Sequence, residues 1–109
     1  MNTSLPVLFE PRLDLEAPDV TDAMSMAALL ADRTRASILA MLRGGPHCVC
    51  ELAAAIGERE NNVSNHLARL RDAGLVRASR HEANARFLYY ERDEAAVARA
   101  RAALFDILG

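Results

Sequence analysis

Apolar positions recur along this chain with two different periods, and the switches between them outline its elements. From Asp19 onward, Val20, Met24, Ala27 and Ala31 repeat at helical spacing and predict a first helix ending near Asp32. Asp32 is placed to cap a second helix whose apolar stripe is Ile38, Leu39 and Leu42, and the run Gly44, Gly45, Pro46 stops it. A third, short helix is predicted over about 48–56, closed by Gly57, and a fourth over about 61–73, closed by Gly74. Residues 75–80 and 86–90 are strand-like runs around a polar tip containing Asn84, the pattern of a β-hairpin. A last helix starts near Asp93, with Val97, Ala100, Leu104 and Leu108 in line. Residues 1–18 carry Pro6, Pro11 and Pro18 and no sustained period, so they are predicted to be an extended arm ahead of a folded domain over 19–109.

Two short helices joined by residues 57–60 form a helix-turn-helix, and a hairpin behind it makes a winged helix: a mainly α fold with one β-hairpin. In the fourth helix Val63, Leu67 and Leu70 share one face, while Asn61, Asn65 and Arg69 share the opposite one. Amides suit adenine edges and guanidinium groups suit guanine, so that polar face, with Asn62 beside it, has the chemistry to read a major groove. On the residues alone it is equally an ordinary solvated face.

Composition narrows the class. A chain of 109 residues with 51% apolar side chains can fold around one hydrophobic core without disulfide staples. No apolar run approaches the ~20 residues of a membrane span, and the N-terminus lacks the order of a secretory signal, which predicts a cytoplasmic protein. The net charge of −2 conceals an asymmetry: residues 1–32 hold six acids and one Arg, residues 33–90 nine Arg and five acids, and residues 91–109 three Arg and four acids. The basic middle is the helix-turn-helix and hairpin. There Arg77, Arg80 and Arg86 of the hairpin are candidates to lie along a phosphate backbone or minor groove. No phosphate loop, nucleophile elbow or paired catalytic carboxylates are found, so an enzyme is not expected.

The only two cysteines, Cys48 and Cys50, are one residue apart. Mid-helix, residues at i and i+2 point about 200° apart and cannot share an ion. Cys48-x-x-Glu51, however, has the spacing of a capping box, which places Cys48 at the helix cap in non-helical conformation and Cys50 in the first turn, where both sulfurs can converge. The positive end of the helix dipole is expected to lower the thiol pKa there and favour metal-binding thiolates. Two other roles stay open: small buried hydrophobes, or a redox pair, the latter disfavoured by the strain of an i, i+2 disulfide. His47 and Glu51 are the adjacent candidates for a further ligand. His81 is expected at the surface of the hairpin, and Tyr89 and Tyr90 are expected to pack it.

Over about residues 20–108 the chain resembles the ArsR/SmtB family of bacterial metal-responsive repressors. The family's LADPTR segment stands here as LADRTR from Leu30 to Arg35, its VSxHL signature as Val63-Ser64-Asn65-His66-Leu67, and its LRxAGLV run from Leu70 to Val76. Cys48-Val49-Cys50-Glu51-Leu52 resembles the CVCDL box of the arsenic and cadmium/lead sensors. The resemblance implies a homodimeric winged helix that binds operator DNA and is released by a thiophilic ion held at Cys48 and Cys50. Arsenite or antimonite comes first, with Cd(II), Pb(II), Hg(II) or Zn(II) as alternatives. It implies Ser64 and His66 as phosphate contacts flanking the reading face. Glu60 departs from it, since an acid near DNA is repelled. The third thiol position of some arsenic sensors is Ala53 here, the arm has no cysteine, and residues 93–109 have no His for the family's zinc site on the last helix. The competing function is a metal-buffering or protein-interaction module without operator specificity, or a thiol redox-responsive repressor.

Overall fold

The computed structural model describes residues 18–81 and 84–109, with the side chains of Pro18, Asp19, Arg80, His81 and residues 84–87 outside the description. Among the described residues, five helices and three strands follow in the order α1 (Pro18–Leu30), α2 (Arg33–Leu42), β1 (His47–Cys48), α3 (Val49–Ile56), α4 (Glu60–Asp72), β2 (Val76–His81), β3 (Asn84–Arg92) and α5 (Glu94–Leu108). The predicted arm over 1–18 falls outside the described residues except for Pro18, which opens α1, a position where proline's missing N–H costs nothing.

Local chemistry sets the boundaries. Asp32 caps α2 in extended conformation, its side chain accepting the Arg35 N–H. Asp93 caps α5 in the same way through the Ala96 N–H. Gly57 ends α3 in the left-handed region at φ 83°, with its N–H donated to the Ala53 carbonyl, so the turn into α4 depends on a residue without a Cβ. The helix-turn-helix is therefore α3 and α4, and its predicted apolar stripe is the core: Val63, Leu67 and Leu70 are fully buried, against Ile38 and Leu42 of α2 and Leu52 of α3.

The hairpin pairs β2 with β3 antiparallel, from Val76 opposite Arg92 to Arg80 opposite Leu88, with an irregularity between Arg80 and His81. A third strand, not foreseen from the sequence, joins its other edge: β1 sets His47 opposite Tyr90 and Cys48 opposite Tyr89, giving the sheet order β1-β3-β2. Two residues carry no readable period, which is why this strand is silent in the pattern. Tyr90 points into the core and ties the wing to it. Helices α1 and α5 pack together. There Met24, Phe105, Ile107 and Leu108 remain at least half exposed.

Candidate metal and nucleic-acid site

Cys48 ends β1 and caps α3, with extended dihedrals of φ −84° and ψ 166°. The capping box is present: the Glu51 carboxylate accepts the Cys48 N–H at 3.0 Å, and the Cys48 sulfur faces the Glu51 N–H as the weaker, reciprocal acceptor. The two thiols are hydrogen-bond neighbours, the Cys48 side chain buried and that of Cys50 exposed. At the cap Cys48 stands outside the helical dihedrals that set i and i+2 side chains apart within a helix.

The expectation of an acidified Cys48 thiol is corrected. Burial pushes its pKa above the ordinary thiol value, the hydrogen bond with Cys50 adds to the rise, and the Glu51 backbone N–H opposes it only in part. The helix end does not overcome desolvation at a group this deep. Nor does Glu51 stand free. It serves the cap and lies 3.4 Å from His47 Nδ1, and the Cys48 N–H first, with His47 behind it, holds its pKa below the usual carboxylate value. Ala53 is buried in the core. Among the described residues no group of three or more His, Cys, Asp or Glu converges to hold an ion. Among the described residues the donors that could hold a soft ion here are two adjacent thiols, with any remaining coordination left to solvent or an external thiol.

On α4, Asn61, Ser64, Asn65 and Arg69 are exposed, opposite the buried stripe. Asn62 is half-buried, and its side-chain amide donates to the Glu58 carboxylate at 2.7 Å, which secures the turn. His66 is turned inward, its side chain 18% exposed, with Nδ1 3.1 Å from Arg35 Nη1 and 3.8 Å from Asp32 Oδ1. The Arg35 backbone N–H, with burial opposing it and the Arg35 charge assisting, holds the Asp32 pKa below its usual value.

The wing arginines divide. Arg77 is exposed but paired across the sheet, Nε donating to the Glu91 carboxylate at 2.9 Å, with Asp93 3.6 Å from Nη1. The side chains of Arg80 and Arg86 lie outside the described residues, as does that of His81. Tyr89 is half-buried opposite Cys48. Sequence reasoning missed Arg35 as part of this site, because its partner on α4 is 31 residues away.

Comparison with known proteins agrees with this geometry. Residues 32–78 match the model of the bacterial regulatory proteins of the arsR family. The arsenical resistance operon repressor of Escherichia coli (strain K12) is 43% identical over 49 residues, 44% of this chain and 42% of that repressor. The matched stretch thus spans less than half the length of that relative. A crystal structure of a possible transcriptional regulator for arsenical resistance superposes with a TM-score of 0.66 at 34% identity, covering 76% of this chain and 82% of that one. The antimony-specific transcriptional repressor AntR superposes with a TM-score of 0.64 at 30% identity over 97% of this chain and 95% of its own. With the fold, the VSxHL helix and the paired thiols in place, the chain belongs to the arsR family of bacterial regulatory proteins.

Proposed function

We propose that this chain is a transcriptional repressor, not an enzyme, that binds operator DNA as a homodimer and leaves it on capturing a thiophilic metal or metalloid at Cys48 and Cys50. The observation that carries the reading is the position of the thiol pair at the cap of α3, the helix on which the exposed amide and guanidinium face of α4 is mounted. An ion held by both sulfurs must draw Cys48 out of its buried place between β1 and α3. That disturbs the support of α4 and the strand bridge to the wing together. Asn61, Asn65 and Arg69 read base edges, and Ser64 contacts phosphate. Asn62 contributes from the turn, and the wing contributes Arg80 and Arg86, with Arg77 available once its pairing to Glu91 is exchanged for phosphate.

Arsenite and antimonite are the inducers favoured, because relatives at 30% identity or more include an antimony-specific repressor and regulators named for arsenical resistance. Two thiols fall short of the three such an ion prefers, so the third position goes to solvent or a small external thiol. The apolar side chains left exposed on α1 and α5 supply the two-fold interface. No helix among the described residues is long and apolar enough to cross a membrane. Fluorescence anisotropy on a duplex of the chain's own promoter region, against random duplex of equal length, tests the DNA half of this reading. The promoter is expected to bind about 10³-fold tighter or more. Equal affinity would leave the metal-buffering or interaction module as the function.

A further inference from the structure

We infer that Arg35 and His66 form the joint that sets the angle of α4 against α1, and that His66 serves DNA binding as a positioning residue through this joint rather than by touching phosphate. The inference rests on reading α4 as the DNA helix. Arg35 lies in the first turn of α2, and its guanidinium works in two directions: Nε donates to the Leu29 carbonyl in the last turn of α1 at 2.6 Å, and Nη1 donates to His66 Nδ1 in the middle of α4 at 3.1 Å. Its backbone N–H is fixed to the Asp32 cap at 3.0 Å. One side chain therefore spans the end of α1, the start of α2 and the centre of α4.

Chemistry makes the joint directional. Arginine has only donors, so Nδ1 of His66 must be the acceptor and the ring carries its proton on Nε2. Asp32 Oδ1, at 3.8 Å from Nδ1, is beyond hydrogen-bond reach and already accepts the Arg35 N–H. The planar fork of Arg35 holds both acceptors at a fixed angle, which the point charge of a lysine cannot do. Because α1 carries part of the exposed apolar face, fixing α4 to the end of α1 fixes where the reading face stands relative to a partner subunit's.

Two substitutions separate this role from a phosphate contact, because the Asn side chain places an oxygen where His has Nδ1, whereas Gln places its terminal atoms where His has Nε2. His66→Asn is expected to hold the own-promoter affinity within about threefold. His66→Gln and Arg35→Lys are each expected to lose about tenfold or more there and little on random duplex, the size of one charge-assisted hydrogen bond. Circular dichroism confirms that each variant is folded. Retention by Gln with loss by Asn, equal on both duplexes, would overturn the proposal in favour of phosphate contact. Imidazole nitrogen correlations in the DNA-free protein, with His66 assigned by its absence in His66→Asn, give a second decision. An unprotonated Nδ1 is expected, and a protonated Nδ1 overturns the joint whatever the DNA result. If the parent shows no preference for its own promoter, the DNA reading fails, while the nitrogen spectrum still decides the joint.

Discussion

The two thiols divide their labour by depth. In the proposed site Cys50, which is exposed, would meet an incoming ion first, whereas Cys48 would have to give up its buried place and its proton, since only thiolates ligate soft metals. Metal uptake should therefore strengthen as pH rises and release protons, which calorimetry in buffers of different ionisation enthalpy will show. Cys50→Ser is expected to change stability by less than about 0.5 kcal/mol, as surface substitutions do. Cys48→Ser replaces a weak sulfur cap by a hydroxyl suited to the same N–H, and Cys48→Ala removes the cap at about 1 kcal/mol. Thermal unfolding should rank the three in that order. The capping box itself was legible in Cys48-x-x-Glu51. The depth of Cys48 was not, because it depends on β1 pairing with Tyr89 across forty residues of chain.

At the scale of elements, caps and their carboxylates set the acid limit of the fold. Asp32 and Glu51 both have pKa values lowered by the backbone N–H groups they accept. A carboxylate whose folded pKa lies below its unfolded one adds stability above the unfolded value, and that stability is lost as pH falls through the folded one. Denaturant midpoints should accordingly be flat from neutrality to about pH 5 and then fall. In Asp32→Ala the neutral midpoint should fall to lower denaturant and the acid slope should flatten. If the slope is unchanged, the cap is not what titrates. The helices, their stops and the hairpin were readable because each is specified within a few residues by period, cap or glycine. The contacts between elements were not. Arg77 looked free for DNA until β3 placed Glu91 opposite it, and His66 looked outward until α2 placed Arg35 beside it. On α4, Arg69→Ala and Asn65→Ala should weaken own-promoter binding more than random binding, whereas Arg80→Ala and Arg86→Ala should weaken both and flatten the salt dependence. Equal losses on both duplexes for all four would remove α4 as the reading helix.

Across the molecule, the described residues leave an apolar surface uncovered on α1 and α5. Met24 of α1 and Phe105, Ile107 and Leu108 of α5 are exposed at 66%, 68%, 51% and 85%, large apolar side chains of the kind that mark a surface suited to a partner. The proposed two-fold dimer through α1 and α5 would cover it and set two α4 helices about one DNA turn, ~34 Å, apart, so the operator should be an imperfect inverted repeat. Sedimentation at micromolar concentration should find a dimer, and Ile107→Asp should yield a folded monomer with weakened promoter binding. A monomeric parent that stays monomeric on DNA would contradict this arrangement. Coupling between the thiols and the DNA face is decided by a single titration: arsenite added to the parent and to the Cys48→Ser, Cys50→Ser double variant, each bound to a labelled duplex of the own promoter. The parent should dissociate with a loss of roughly 5–150-fold in affinity, the usual range of such coupling, and the double variant should bind as tightly as before and stay bound. Equal release of both proteins by arsenite, and by cadmium in a parallel run, would place the inducer site elsewhere in the molecule.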